Sequence, residues 1–161
     1  MAAAVQYLQE NSLLDYSDLE KKADETTTRF HTLSDKIKAA EAAMKRNAEL
    51  RTALADYAKT RAVFVEYKSK KYSRKYLAEH KAEISAYRAA QATFRRVLDG
   101  EKLPKMNTLK TEGQRLAADK KVAYAEYRAA RKDMRVAVVT KANIDRLFSL
   151  TDRRTNKEME R

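Results

Sequence analysis

Apolar residues recur along this chain at alternating spacings of three and four, the pattern of one face of an α-helix. The first long stripe comprises Phe30, Leu33, Ile37, Ala40 and Met44; it meets Asn47 and resumes through Leu50, Leu54, Tyr57 and Phe64. That change of phase resembles a small insertion in a heptad repeat, which locally overwinds or unwinds a coiled coil. Ahead of it, Ser17-Asp-Leu-Glu20 has the form of a capping box, in which the serine and glutamate side chains satisfy the first free amides. A helix over about 17–67 follows, roughly 75 Å long at ~1.5 Å per residue. Val5, Leu8, Leu13 and Leu14 suggest a short leading helix over 3–14.

The stripe is punctuated at Lys68-Ser-Lys-Lys-Tyr-Ser-Arg-Lys75. Five cations in eight residues repel one another, and two serines offer caps. A tight turn near Lys70 to Tyr72 is expected, with Ser73 capping the next helix; the alternative is continuous helix through 68–72. The second helix, over 73–98, carries Leu77, His80, Ile84, Tyr87, Phe94 and Leu98. Asp99-Gly100 ends it, because glycine tolerates the left-handed conformation that closes a helix. Leu103-Pro104 forces extended backbone, and Asn107 or Thr108 caps a third helix over 107–149. Its stripe is Leu109, Leu116, Ala123, Tyr127, Ala130, Met134, Ala137, Ile144 and Phe148, interrupted by Gly113, Lys120 and Lys141. A polar tail covers 151–161.

Amphipathic helices joined by short turns must pack on one another to bury their stripes. The expected fold is all-α: an elongated antiparallel bundle of three main helices, two long and one shorter, with coiled-coil-like packing, in a single domain over 1–150. With 2 Gly and 1 Pro in 161 residues, an architecture of many short strands and tight turns is excluded. No apolar run approaches the ~20 residues that cross a bilayer, and the first residues lack the basic segment of a secretory signal. A cytoplasmic chain with no membrane span is expected.

Most catalytic chemistries lack their residues. His31 and His80 are the only histidines, on separate helices, so neither has the partners that a nucleophile–base arrangement requires. There is no cysteine and no histidine pair at ligand spacing, so no metal site is expected. Gly100 and Gly113 are the whole glycine supply, too few for a phosphate-cradling loop. No catalytic residue, metal or cofactor is assigned, and the chain reads as a non-enzyme.

Charge is distributed unevenly. Residues 1–56 hold 8 Lys and Arg against 10 Asp and Glu, whereas residues 57–161 hold 27 against 13. A basic distal half is the electrostatic footprint of a nucleic-acid partner. Its densest piece is Lys68, Lys70, Lys71, Arg74 and Lys75, interleaved with Tyr67, Tyr72 and Tyr76. Cations there neutralise phosphates, and tyrosine rings stack on unpaired bases. Arg128, Arg131, Lys132 and Arg135 make a second stripe on the third helix. A solvated surface, with its tyrosines belonging to the helix seam, is the bland counterpart of both.

Several stretches occur together in a familiar order: Ile37-Lys-Ala-Ala-Glu41, Asp56-Tyr-Ala-Lys-Thr-Arg61, Val65-Glu-Tyr-Lys to Tyr72-Ser-Arg-Lys-Tyr76, Lys102-Leu-Pro-Lys105, Ala125-Glu-Tyr-Arg128 and Lys141-Ala-Asn-Ile-Asp-Arg146. From about Tyr7 to Leu147 the chain resembles the helical region that follows the nuclease domain in relaxase/mobilisation proteins of Gram-positive conjugative elements and plasmids. The resemblance implies a glycine at the position that Lys71 occupies here, which would favour a turn. The resemblance implies an accessory role in conjugation, holding DNA near the nick at the transfer origin. The metal-binding His cluster of the relaxase nuclease is not in this sequence, so no catalytic residue carries over, and neither Tyr7 nor Tyr16 is a nucleophile. The alternative is a protein–protein interaction arm that docks a coupling protein of the transfer machinery or self-associates. A homodimer is expected because the long first helix outreaches the short second one.

Overall fold

In a computed structural model the described residues are 15–161, with Ala3 and Gln6 ahead of them; the expected leading helix over 3–14 otherwise lies outside the described residues. Four helices account for nearly all of the rest: α1 (Tyr16–Ser69), α2 (Arg74–Glu79), α3 (Lys81–Leu98) and α4 (Met106–Met159). Among the described residues there is no strand. The all-α expectation holds.

Local chemistry shifts several boundaries. Asp15, not Ser17, caps α1: its carboxylate accepts the Ser17 amide at 3.3 Å and its carbonyl the Leu19 amide at 3.2 Å. The single helix expected over 73–98 is two, because His80 leaves helical geometry with φ −125° and ψ 30°. Its amide closes α2 on the Tyr76 carbonyl at 3.0 Å, and its own carbonyl starts α3 by accepting Ile84 N–H at 3.0 Å. Asp99 takes φ 44° and Gly100 φ 89°, so α3 ends where the sequence places its stop. The polar stretch 151–161 continues α4 as helix to Met159 instead of forming a separate tail.

The chain gathers into two compact units, one of Met1–Ile37 with Lys121–Arg161 and one of Lys38–Lys120. In the first, Leu19, Ala23, Leu33 and Ile37 of α1 are buried, as are Ala123, Ala130 and Ala137 of α4. Tyr16 donates its hydroxyl to Asp145 and sets its ring edge against Phe148, 5.6 Å between centroids. Further along α1, Phe30 stacks on Tyr127 at 5.0 Å. As α1 rises from Tyr16 to Phe30, its partners therefore descend along α4.

In the second unit, Leu50, Leu98 and Leu109 form one buried cluster, with Leu54, Phe94 and Val97 against it. Fully burying each such side chain stabilises by roughly 1.5–3 kcal/mol. Tyr67, Tyr76 and Ile84 form another, flanked by Val63, Phe64 and Leu77. Asn47 does not interrupt the first stripe. It is 4% exposed and donates its side-chain amide to the Leu109 carbonyl at 2.8 Å, so the stripe runs through it. The cations in the third stripe have partners too: Lys120 pairs with Glu41 and Lys141 with Asp145, each at 3.1 Å.

Candidate nucleic-acid interface

The basic turn of the second unit is a closed and capped structure. Tyr72 N–H reaches the Tyr67 carbonyl and Lys71 N–H the Lys68 carbonyl, both at 3.1 Å, the two bonds of a Schellman closure. Lys71 and Tyr72 have φ of 52° and 59°, in the left-handed region that costs an L-residue roughly 1–2 kcal/mol. Tyr72 sets its ring at 87° to Tyr67 with centroids 5.3 Å apart, the apolar contact that accompanies this closure. Ser73 then caps α2, its hydroxyl accepting Tyr76 N–H at 3.5 Å. The turn expected near Lys70 to Tyr72 is therefore present.

These bonds hold Lys68, Lys70, Lys71, Tyr72, Arg74 and Lys75 on one short, exposed segment. Among the described residues only Lys70 of its five cations has an ion pair, to Glu66 at 3.1 Å. Glu66 also accepts the Tyr76 hydroxyl at 3.2 Å. The Lys70 bond first, and the Tyr76 bond second, hold the Glu66 carboxyl below the ordinary range. Burial, with the bond to Glu66, raises the Tyr76 phenol.

The tyrosines divide into two kinds. Tyr67 and Tyr76 are 4% and 5% exposed, so they are core and not stacking platforms as the sequence pattern allows. Tyr72 is 52% exposed and alone of the three presents a ring to solvent. Behind it runs a continuous series of rings. Phe94 meets Tyr57, Tyr57 meets Tyr87, Tyr87 stacks on Phe64 at 4.0 Å, and Phe64 meets Tyr67. From Tyr67 the series reaches Tyr72 and Tyr76, and His80 stacks on Tyr76 at 4.1 Å. Lys70 and Arg88 sit over the Tyr76 and Tyr67 rings at 4.6 and 5.9 Å. Glu66 and Arg88 escaped the sequence reading; only the four-residue spacing of Glu66 and Lys70 signals the first.

Arg128, Arg131, Lys132 and Arg135 belong to the other unit. All four are exposed along one side of α4, where with Val136 they line an open groove of about 410 Å³. Arg128 lies 4.7 Å over the Tyr124 ring, and Tyr124 stacks on Tyr127 at 5.8 Å. Tyr124, 43% exposed, is the aromatic ring beside this stripe. His31 is exposed with its ring edge to Phe30, far along the sequence from the His80 break. Among the described residues no group of three or more histidines and carboxylates is placed to hold a metal ion. No helix there is long and apolar enough to cross a membrane. Compared with models of known families, with curated proteins and with solved structures, the chain matches none.

Proposed function

We propose that this chain is a non-catalytic DNA-binding element, the accessory helical part of a conjugative relaxase, acting in the cytoplasm near the transfer origin. The observation that carries this reading is the Lys68–Lys75 turn: five exposed cations, one ion pair among them, fixed by backbone bonds beside one half-exposed tyrosine ring. Phosphates supply the missing counter-charges, and the affinity is sequence-independent because phosphate contacts position without specifying. The resemblance of the ordered motifs to the region after a relaxase nuclease supplies the biological setting. Each unit is read as antiparallel, coiled-coil-like helix packing that presents the turn rigidly.

The test is the salt dependence of binding to single-stranded DNA. Five phosphate contacts give a slope of log affinity on log salt of about −3.5, at ~0.7 per contact. Partial engagement gives about −2 to −3. The triple variant Lys70→Glu, Lys71→Glu, Arg74→Glu weakens binding to all sequences and flattens the slope. Reversal at Lys21, Lys22 and Lys36 is the control. Equal losses from both triples mean bulk charge alone, and the DNA role of the turn falls. A protein-docking arm is the second reading, favoured by the apolar side chains that α4 leaves exposed.

A further inference from the structure

The outward side of α4 carries a second seam in seven-residue register. Val122, Ala129, Val136, Asn143 and Leu150 repeat every seven residues, and Ala125, Lys132, Val139 and Arg146 follow each by three, the a and d positions of a heptad. All of these are exposed, with Val122 at 60%, Val139 at 56% and Leu150 at 48%. Of the residues that α4 buries within its unit, Ala123, Ala130 and Ala137 lie one position after the a residues, about 100° round the helix, and Thr140 takes an e position. One helix thus serves two seams, and only one is covered.

We infer that this face pairs with the same face of a second copy of the chain, parallel and in register. The flanks of the seam decide the occupant. Over 121–135 the g positions Lys121, Arg128 and Arg135 are basic and the e positions Glu126 and Asp133 acidic. Further along, Ala142 and Ser149 at g and Thr140 and Leu147 at e carry no charge. In a parallel pair, g faces the e position five residues further along the other helix. Lys121 then meets Glu126 of the second copy, Arg128 meets its Asp133, and two-fold symmetry repeats both pairs. An antiparallel pair over 122–150 sets Arg135 against Arg135 and leaves Lys121 and Arg128 opposite Ser149 and Ala142, with no acid to meet. Both acids are exposed, and the existing Arg29–Asp133 pair is loose at 3.9 Å, with each side chain more than half exposed. Valine at two of the a positions favours two strands, and the lone Asn143 at another fixes register. Lys132 and Arg146 are the weak d positions; their stems lie along the seam while the charges reach its rim. The dimer is therefore concentration-dependent and governed by its flanks. This assignment gives Arg128, Lys132 and Arg135 to protein pairing and leaves the Lys68–Lys75 turn as the DNA contact.

Sedimentation velocity on the full chain across a concentration series tests it, with DNA affinity measured in parallel. The parent dimerises as concentration rises. The variant Lys121→Glu, Arg128→Glu, Arg135→Glu is monomeric, the variant Glu126→Lys, Asp133→Lys is monomeric, and mixing the two restores a dimer. Circular dichroism confirms that each remains helical. The chain has no cysteine, so a short bismaleimide cross-links Val122→Cys to itself in the parallel arrangement. Antiparallel pairing over 122–150 separates those thiols by about 40 Å at ~1.5 Å per residue. A monomer at every concentration, a dimer indifferent to the charge variants, or no cross-link overturns the inference. So does loss of DNA affinity in the charge variants at unchanged mass, which would make this face a nucleic-acid contact.

Discussion

Asn47 and Gly113 share one space. A Cβ built at position 113 would stand 3.0 Å from Asn47 Oδ1 and 3.6 Å from its Cγ, while the same amide group donates to the Leu109 carbonyl at 2.8 Å. The glycine in α4 and the polar residue in the apolar stripe of α1 are two halves of one contact.

Gly113→Ala should therefore not bring the gain of about 1 kcal/mol that replacing a helical glycine normally gives. Displacing a buried, bonded amide costs at least as much, and urea unfolding should show a net loss. In an Asn47→Ala background the same change should recover its gain. Additive effects in that double-mutant cycle would refute the shared-space argument.

Lys71→Gly should do the opposite. The position sits at φ 52°, and glycine removes a backbone penalty of roughly 1 kcal/mol. It also removes one cation, so the salt slope should fall by about 0.7 while the protein becomes more stable. A Lys71→Gly protein that unfolds at lower urea than the parent would contradict the strain at this turn.

Tyr72 is expected to answer twice as well. Tyr72→Ala loses the edge contact with Tyr67 and should destabilise by about 0.5–1.5 kcal/mol. It should also weaken single-stranded DNA more than duplex, because only unpaired bases offer a face. Tyr72→Phe keeps the ring and should preserve both properties; a large loss with phenylalanine would shift the role to the hydroxyl.

Stability should decline at both ends of the pH scale. Bonds from Tyr16 and then Lys141 lower the Asp145 carboxyl, as Lys70 and Tyr76 lower Glu66. Groups lowered on folding add stability above their unfolded values near 4, lost as pH falls through the folded ones. Tyr16, raised chiefly by its bond to Asp145, and Tyr76, raised chiefly by burial, act in the other direction. Their share is present below the unfolded phenol value near 10 and lost as pH rises through the folded one. Asp145→Asn should blunt the acid decline measured by thermal melts. An unchanged acid limb would remove Asp145 from the account.

Spacing made the helices and the Lys68–Lys75 turn legible, since apolar period and serine caps are local signals. Asp99-Gly100 was equally readable as a stop. The break at His80 was not, because the ring stacks on Tyr76 and no glycine or proline marks the site. Asn47 read as an interruption because its satisfaction depends on a carbonyl 62 residues away. The tyrosines beside the turn looked alike in one dimension. Only packing separates Tyr67 and Tyr76, which hold the core, from Tyr72, which faces solvent. The heptad on the outer side of α4 was present in the sequence but hidden, since the stronger inner stripe of the same helix masks it.

The series of rings from Phe94 to Tyr72 gives the molecule an optical property of its own. The chain has 9 Tyr and no Trp, so its ultraviolet emission comes from phenols. Five of them, Tyr57, Tyr87, Tyr67, Tyr72 and Tyr76, lie in that series with its neighbouring ring centroids between 4.0 and 6.2 Å apart. Excitation absorbed anywhere along such an array migrates between rings before it is emitted, which depolarises the light and lets a quencher at one end drain the whole set. The end that meets solvent is Tyr72. A base stacking there dims more than one fluorophore, and the unlabelled protein reports occupancy of its own turn.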